Sequence, residues 1–422
     1  MSAIRFAIWI DATPPESALR VFGMSLVERL LAAVAQLAGA KNARFALASV
    51  VVEHAPAAAP RLRADLAARL GATLAEARGT LSERIARAAA RDANAVLLAL
   101  PGDAIVDTRV LAELLREADS AIALADEGAR RTALVRLAAS AVPAPASAND
   151  LRGLAEAQRA AGTARVLPLS AIAEHIADLR RDQPAYAFRL AASEVASTER
   201  WLFWSNYKGS TDFLTRFVFP PFVWAAVRPL ARLGVHPNWV TGLAVLLCFG
   251  AIPLWAHGHW ALGFAAAYGM AVLDSVDGKL ARLTFTASTL GNVMDHGTDI
   301  LHPPFWYAAW AWGLAGGPHG PVYELTLWMF GLYTLDRLVA PIFRAMTQKS
   351  IHGYAPIDVA MRTFISRRNV NLPVFTVALP LGLGAEAIVL VVAWQAACFV
   401  FHAVRCAQVA ISLERSASRA TR

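Results

Sequence analysis

The stretch D-S-V-D-G-K-L-A-R-L-T-F-T-A-S-T-L-G-N-V-M-D-H-G-T-D, Asp274 to Asp299, places four carboxylates and two cations inside the most hydrophobic half of a 422-residue chain. Ionisable groups at membrane depth are costly and mark function by default. Asp274 and Asp277 are three apart, so they share a helix face, which Gly278 and Ala281 continue with almost no side chain. Gly291, Asp295 and Asp299 are each four apart and form a stripe on the next helix. Two facing stripes of this kind offer hard oxygen ligands with space beside them, the donor set that Mg²⁺ or Mn²⁺ takes. Two such ions about 4 Å apart can clamp a phosphoryl group for in-line displacement. Arg282 adds a fork that fits a phosphate. Buried ion pairs that merely brace two helices are a poorer account, since Lys279 and Arg282 cannot neutralise four carboxylates.

Outward from this stretch the composition divides near residue 200. The whole chain is 56% hydrophobic and 17% charged, with a net charge of +8. After residue 200, apolar runs at Trp239–Ala256, Trp260–Leu280, Ala287–Leu314, Val322–Met346, Val370–Leu383 and Ala387–Ile411 predict six membrane helices, most near the roughly 20 residues a span needs. The fifth is short, and its pattern extends back through Phe364. The connecting segments Ala256–Trp260, Ala315–Pro321 and Gly382–Glu386 lack Lys and Arg. Lys279, Arg282, Lys349, Arg362, Arg367, Arg368, Arg415 and Arg419 fall on the other side, which places both termini in the cytoplasm and the chain in the inner membrane. Lys208–Leu233, with aromatics, sparse arginines and prolines, reads as an interfacial helix ahead of the first span. No basic tract with interleaved aromatics points to nucleic acid; the positive charge suits an anionic membrane surface. Cys248, Cys398 and Cys406 have no metal-type spacing and read as packing residues.

Before residue 200, Ile4–Ile10, Ala43–Glu53, Ala95–Leu100 and Ala121–Ala125 read as strands. Ser25–Ala38, Arg61–Ala90, Val110–Ala118 and Asn149–Ala161 read as helices. The alternation predicts a soluble, Rossmann-like α/β domain around a largely parallel sheet. Residues 1–185 form this domain, 186–206 a linker, and 207–415 the all-α membrane domain. Phe22–Leu31 (F-G-M-S-L-V-E-R-L-L) and Leu98–Asp107 (L-A-L-P-G-D-A-I-V-D) resemble nucleotide-sugar nucleotidyltransferases, a resemblance that implies metal and ribose binding by Asp103. Where that family has a Gly-rich phosphate loop, Ile10–Arg20 has no glycine, so the expectation is a nucleotidyltransferase-like fold without catalysis.

D-x-x-D-G-x-x-A-R-x₈-G-x-x-x-D-x-x-x-D is the signature of the CDP-alcohol phosphotransferase family, and this chain resembles it at every position. The flanks K-x-S-T-D-x-x-x-R (Lys208–Arg216) and H-P-N-W-V-T (His236–Thr241) are similar too, and so is the count of six helices. The resemblance covers roughly Tyr207 to Ser412. Relatives that fuse a cytidylyltransferase ahead of this module share the domain order. The resemblance implies metal binding by Asp274, Asp277 and Asp295, with Asp299 touching the second metal, and contacts from Gly278, Ala281, Arg282 and Gly291 to the CDP moiety. It implies Asp299 as the general base for an acceptor hydroxyl, with CMP leaving from a CDP-alcohol such as CDP-diacylglycerol. Relatives of this module are commonly dimers, so a homodimer is an expectation as well. Arg367 and Arg368 are candidates for binding an acceptor phosphate, or for anchoring a helix to headgroups, and Lys208 is a further acceptor candidate. His296 and His302 read as packing or local hydrogen-bonding residues, and Asp336 and Arg337 as partners of other helices. Three readings remain: the phosphotransferase, with a lipid or a soluble polyol donor; a prenyltransferase, whose aspartates prefer other spacings; and a non-catalytic scaffold that senses lipid precursor.

Overall fold

The structure, a computed structural model, describes residues 4–40, 45–92, 94–125, 130–138 and 148–420, with side chains described through residue 415. Ala43 and Arg44, at the start of one expected strand, and the side chain of Arg419 lie outside the described residues. The first half is a seven-stranded sheet of β1 (Ile4–Ala12), β2 (Phe45–His54), β3 (Ala72–Glu76), β4 (Val96–Pro101), β5 (Ala121–Ala125), β6 (Thr132–Leu137) and β7 (Arg165–Pro168). Their spatial order is β7-β5-β6-β4-β1-β2-β3, and all neighbours run parallel except β6, which is antiparallel to both β4 and β5. Strand β1 shows why the sheet is covered on both sides: Phe6, Ile8 and Ile10 enter one apolar cluster, Ala7 and Trp9 the other. Such side-to-side alternation is the period-2 signature of a strand with two buried faces.

Helices α1 (Leu26–Ala38), α2 (Ala64–Leu70) and α4 (Thr108–Arg116) contribute to the first cluster, and α3 (Leu81–Ala90) and α5 (Leu151–Ala160) to the second. The single helix expected over Arg61–Ala90 is two helices with β3 between them. Gly71 ends α2 in the left-handed region, at φ 59°, and Thr80 starts α3 with a capping box to Glu83. A positive-φ glycine at a helix C-terminus followed shortly by a capping box is a stop and a restart.

The second half is helical: α6 (Val195–Ser205), α7 (Pro220–Arg232), α8 (Pro237–Ala256), α9 (Trp260–Leu283), α10 (Thr289–Ala315), α11 (Pro321–Thr347), α12 (Pro356–Arg362), α13 (Arg368–Ala378) and α14 (Gly384–Ala420). Cys248, Trp255, Met270, Trp306, Trp310 and Phe375 fill its centre, with Trp310 stacked on Phe375 at 4.0 Å. Among the described residues, two helices are by themselves long and apolar enough to cross a membrane, Pro237–Ala256 and Gly384–Arg415. The expected extension of the fifth span through Phe364 does not occur. Residues 363–367 turn, α13 begins at Arg368 and has 11 residues, and a short 3₁₀ turn follows at Leu379–Leu381.

Residues 186–206, read from the sequence as a linker, contain a strand and a helix. Ala187–Arg189 pairs antiparallel with Ala104–Val106, and α6 packs on α9. Here the two halves lock. Glu199 of α6 is 1% exposed and accepts hydrogen bonds from the Phe22 amide at 3.0 Å, Arg228 at 2.8 Å and Arg232 at 3.1 Å. Gly23 lies at φ 78°, and a Cβ there would stand 2.5 Å from the Ala231 carbonyl oxygen, so only glycine allows this approach. Arg29 of α1 donates to the Leu283 carbonyl at the end of α9, 2.8 Å away. Removing the buried carboxylate leaves an amide and two guanidinium groups without their partner. Glu199→Ala is expected to destabilise the junction by roughly 2–3 kcal/mol. Thermal unfolding would show a lower midpoint, and limited proteolysis would show faster cleavage between α6 and α7; unchanged values for both would contradict the role given to Glu199.

Candidate active site

The signature residues lie on two adjacent helices, as their spacing predicts. Asp274, Asp277, Gly278, Ala281 and Arg282 occupy the last turns of α9, and Gly291, Asp295 and Asp299 the first turns of α10. Ser288 caps α10, accepting from the Gly291 amide at 3.0 Å and donating to the Asn238 side-chain oxygen at 2.8 Å. A Cβ on Gly291 would meet that oxygen at 2.6 Å, so this glycine is required by the approach of α8 to α10. At Gly278 a Cβ would stand 3.4 Å from the Arg282 guanidinium, so the missing side chain leaves that group room.

The carboxylates converge. Asp274 and Asp295 are in hydrogen-bond contact. Asp277 accepts a bond from the Thr241 hydroxyl at 2.6 Å, which ties it to α8. Arg368, the first residue of α13, bridges Asp274 at 2.6 Å and Asp299 at 2.5 Å, and is 9% exposed. Its place is on the carboxylates, whereas its neighbour Arg367 is half-buried, within electrostatic reach of Arg337 and Asp299. Lys208 is exposed, close enough to Asp274, Asp295 and Arg282 for the charges to interact. His302 meets the Thr298 carbonyl at 2.6 Å and His296 the Asn292 carbonyl at 3.1 Å, local bonds one turn back along α10, and His296 also stands 3.3 Å from the Asp295 carboxylate. Asp336 pairs with His402 of α14 at 2.6 Å, while Arg337 lies over the Tyr333 ring of its own helix.

Among the described residues, no three carboxylate, imidazole or thiol groups surround a common metal position. The donor chemistry nonetheless fits a divalent cation. Two carboxyl groups in contact within an apolar bundle cannot both stay charged without a cation between them. Arg368 already stands as a cation across Asp274 and Asp299.

Residues that sequence spacing did not reveal come from other helices. Thr241 stands 36 positions from Asp277, and Arg368 stands 69 from Asp299. Asp212, in the stretch ahead of α7, accepts from Thr215 and from Asn369 beside Arg368, and so ties that stretch to the head of α13. Among the described residues, the buried Nε atoms of Arg337 and Arg362 have no hydrogen-bond partner. This marks a cationic patch next to Arg367, with which both interact electrostatically.

The family model for CDP-alcohol phosphatidyltransferase matches residues 234–411. Residues 234–411 are a CDP-alcohol phosphatidyltransferase domain. Similar sequences include a CDP-alcohol phosphatidyltransferase class-I family protein of Schizosaccharomyces pombe, 28% identical over 118 residues, 24% of this chain and 30% of that one. Cholinephosphotransferase 1 of Homo sapiens is 37% identical over 87 residues, 20% and 21% of the two chains. Choline/ethanolaminephosphotransferase 1 of Arabidopsis thaliana is 27% identical over 188 residues, 38% and 44%. The chain thus spans less than half the length of these relatives. Among solved structures, phosphatidylinositol phosphate synthase of Mycobacterium tuberculosis with CDP-DAG bound gives a TM-score of 0.35 at 18% identity, covering 45% of this chain and 93% of that one. A 2-C-methyl-D-erythritol 4-phosphate cytidylyltransferase of Thermus thermophilus gives 0.31 at 16%, covering 48% and 98%.

Ahead of the CDP-alcohol phosphatidyltransferase domain, a second cavity of about 280 Å³ lies at the C-terminal ends of β1 and β4 and is lined by Asp11, Thr13, Asp103 and Arg189 among others. Open α/β sheets bind ligands at such strand ends. Here Arg84 joins Asp11 at 2.7 Å and Glu53 at 2.6 Å, and Arg189 holds Asp103 at 2.6 Å. The segment after β1 uses its polar groups internally, the Thr13 amide on Asp11 and the Ser17 hydroxyl on the Ala12 carbonyl. Burial raises the Asp103 pKa more than Arg189 lowers it. The folded domain therefore holds this proton more tightly than the unfolded chain, and its contribution to stability falls as pH rises through the carboxylate range. In Asp103→Asn that dependence should vanish. Denaturant unfolding across roughly pH 4 to 7 would show a flatter stability profile than wild type; a parallel profile would remove Asp103 as its source.

Proposed function

We propose that the protein is an integral-membrane phosphotransferase that moves a phosphoalcohol group from a CDP-alcohol to an acceptor hydroxyl, with CMP as leaving group, in phospholipid synthesis. The observation that carries this reading is the convergence of Asp274, Asp295, Asp299 and Arg368 within a domain of this family. Asp274, Asp277, Asp295 and Asp299 would hold Mg²⁺ or Mn²⁺, which supplies charge neutralisation of the diphosphate. Gly278, Ala281, Arg282 and Gly291 line the donor side, with Arg282 pairing to phosphate. Asp299 takes the proton from the acceptor hydroxyl. The freed oxygen attacks the phosphorus that carries the donor alcohol, the bond from that phosphorus to the CMP oxygen breaks, and CMP leaves with the electron pair. Thr241 orients Asp277 and Arg368 orients Asp299, so positioning and charge complementarity supply most of the rate.

In this reading α8, α9, α10, α11, α13 with its following turn, and α14 cross the inner membrane, with both termini cytoplasmic. Exposed Phe217, Phe222, Leu233 and Trp239, between 59% and 79% exposed, support an interfacial stretch ahead of α8. The clustering of Arg337, Arg362 and Arg367, in which the buried Nε atoms of Arg337 and Arg362 have no hydrogen-bond partner among the described residues, supports an anionic acceptor. Lys208 stands at the edge of the same mouth. The relatives named for choline keep a second reading open, a soluble CDP-alcohol donor with a lipid acceptor. The neutralised carboxylates at the strand ends support an α/β domain that does not turn over CTP.

CMP release by the purified protein in lipid with Mg²⁺ or Mn²⁺ tests this. CDP-diacylglycerol would be offered with glycerol phosphate, inositol, inositol phosphate and serine, and soluble CDP-alcohols would follow. Asp299→Asn is expected to lower acceptor-dependent release by about 10³-fold. Arg362→Gln is expected to raise KM for a phosphorylated acceptor and leave donor KM unchanged. Silence with every donor and acceptor would favour the scaffold.

A further inference from the structure

Between the α/β domain and the C-terminal end of α9 lies a cavity of about 610 Å³, within the usual size range for small-molecule sites. It is lined by Ala281, Arg282 and Ser288 of the donor motif and its flank, and by Asp178, Leu179 and Asn206 from outside that motif. Asp274 and Arg282 are eight residues apart on one helix, about 12 Å along its axis. A nucleoside diphosphate with its phosphates at the carboxylates and its nucleoside directed toward Arg282 would reach this cavity.

The segment that carries Asp178 and Leu179 is fixed in place. The Gly209 amide donates to the Leu179 carbonyl at 2.8 Å, and a Cβ on Gly209 would stand 2.4 Å from the Arg180 carbonyl oxygen. Arg181 donates to the Trp204 carbonyl at 3.1 Å. On this held strap, Asp178 is exposed, and its side chain makes no hydrogen bond among the described residues. It is close enough to Arg282 for their charges to interact, and among the described residues the buried Arg282 Nε has no hydrogen-bond partner. A carboxylate and a guanidinium lining one cavity complement a ligand that has hydrogen-bond donors at one end and phosphates at the other.

We propose that the α/β domain is one wall of the donor site, and that Asp178 accepts a hydrogen bond from the nucleoside half of the CDP-alcohol. This rests on the reaction proposed above and adds to it a contact from outside residues 234–411, which the family model matches. The fused domain then serves donor recognition through its packing on the bundle, whatever happens at its own strand ends.

The test is calorimetric titration of CDP, UDP and inorganic pyrophosphate into the full chain in lipid nanodiscs with Mg²⁺. The variants are Asp178→Ala and, as a steric block at an exposed turn lining the cavity, Ala287→Trp. Asp178→Ala is expected to weaken CDP binding about tenfold, the worth of one hydrogen bond to a charged group, Ala287→Trp is expected to weaken it by filling the cavity, and both are expected to leave pyrophosphate affinity unchanged. A loss with CDP but not UDP assigns the contact to the cytosine amino group; a loss shared by both assigns it to the ribose. Unchanged CDP affinity in Asp178→Ala overturns the proposal, and so does an equal loss for CDP and pyrophosphate. Wild-type protein that binds neither CDP nor pyrophosphate would instead remove the reaction assignment itself.

Discussion

Burying several carboxylates at the end of an apolar helix bundle demands cations and hydrogen-bond donors from elsewhere in the chain, and that demand organises the second half of this molecule. Asp274 and Asp299 sit on neighbouring helices, yet their shared counter-charge comes from Arg368 at the head of α13. For the guanidinium to reach both, the chain must turn at residues 363–367 and start a new helix at Arg368. A continuous helix through Phe364 would carry Arg368 in its middle, with its backbone fixed by the preceding turn. The short fifth helix and the bridged carboxylates are thus two views of one constraint. Asn369, next in sequence, binds Asp212, which brings the stretch before α7 over the same mouth.

The junction between the halves obeys the same logic with fewer charges. Glu199 collects an amide from the α/β domain and two arginines from α7. Gly23 permits the close approach, and Arg29 binds the last carbonyl of α9, where a cation suits the helix C-terminus. The apolar cluster around Phe22, Phe203, Val223 and Leu280 runs through this junction without a break. The α/β domain is consequently packed onto the helix that carries Asp274 to Arg282, and the 610 Å³ cavity is a product of that packing.

Much of this was legible in the chain because the relevant signals are local. The i, i+3 and i, i+4 spacings put the signature carboxylates on the right helices, and four strands of the sheet showed as short aliphatic runs. What was not legible depends on non-local partners or on weak patterns. Strand β3 hides inside a helical-looking segment because Ala-rich sequence suits both states, and the break is marked by Gly71 and by the Thr80–Glu83 capping box alone. Strand β6 contains Arg136, which is 1% exposed and donates to the Ala118 and Asp119 carbonyls, so its polar residue disguises a buried strand. Arg368 read as a candidate for an acceptor phosphate or for anchoring to headgroups, because nothing in its own neighbourhood announces carboxylates 69 residues away. The arginines at the strand ends were equally silent: Arg84 gives no hint in sequence that it will join Asp11 to Glu53.

Charge balance separates the two carboxylate sites of the protein. At the strand ends of the α/β domain, Asp11, Glu53 and Asp103 each bind an arginine directly, and the loop that follows β1 spends its polar groups on itself. A metal or a triphosphate would have to displace those arginines. In the bundle, one arginine serves two of four carboxylates, Asp295 is in contact with Asp274 and 3.3 Å from His296, and Asp277 takes the Thr241 hydroxyl and the Gly278 amide, with the Arg282 charge nearby. That set carries negative charge which its direct protein partners do not match. An arrangement short of cations is one that a divalent ion completes, whereas a closed set of ion pairs excludes it. The same side-chain chemistry therefore argues for opposite roles in the two halves: a site built to receive charge in the bundle, and a filled, structural one in the sheet, whose domain contributes by what it packs against.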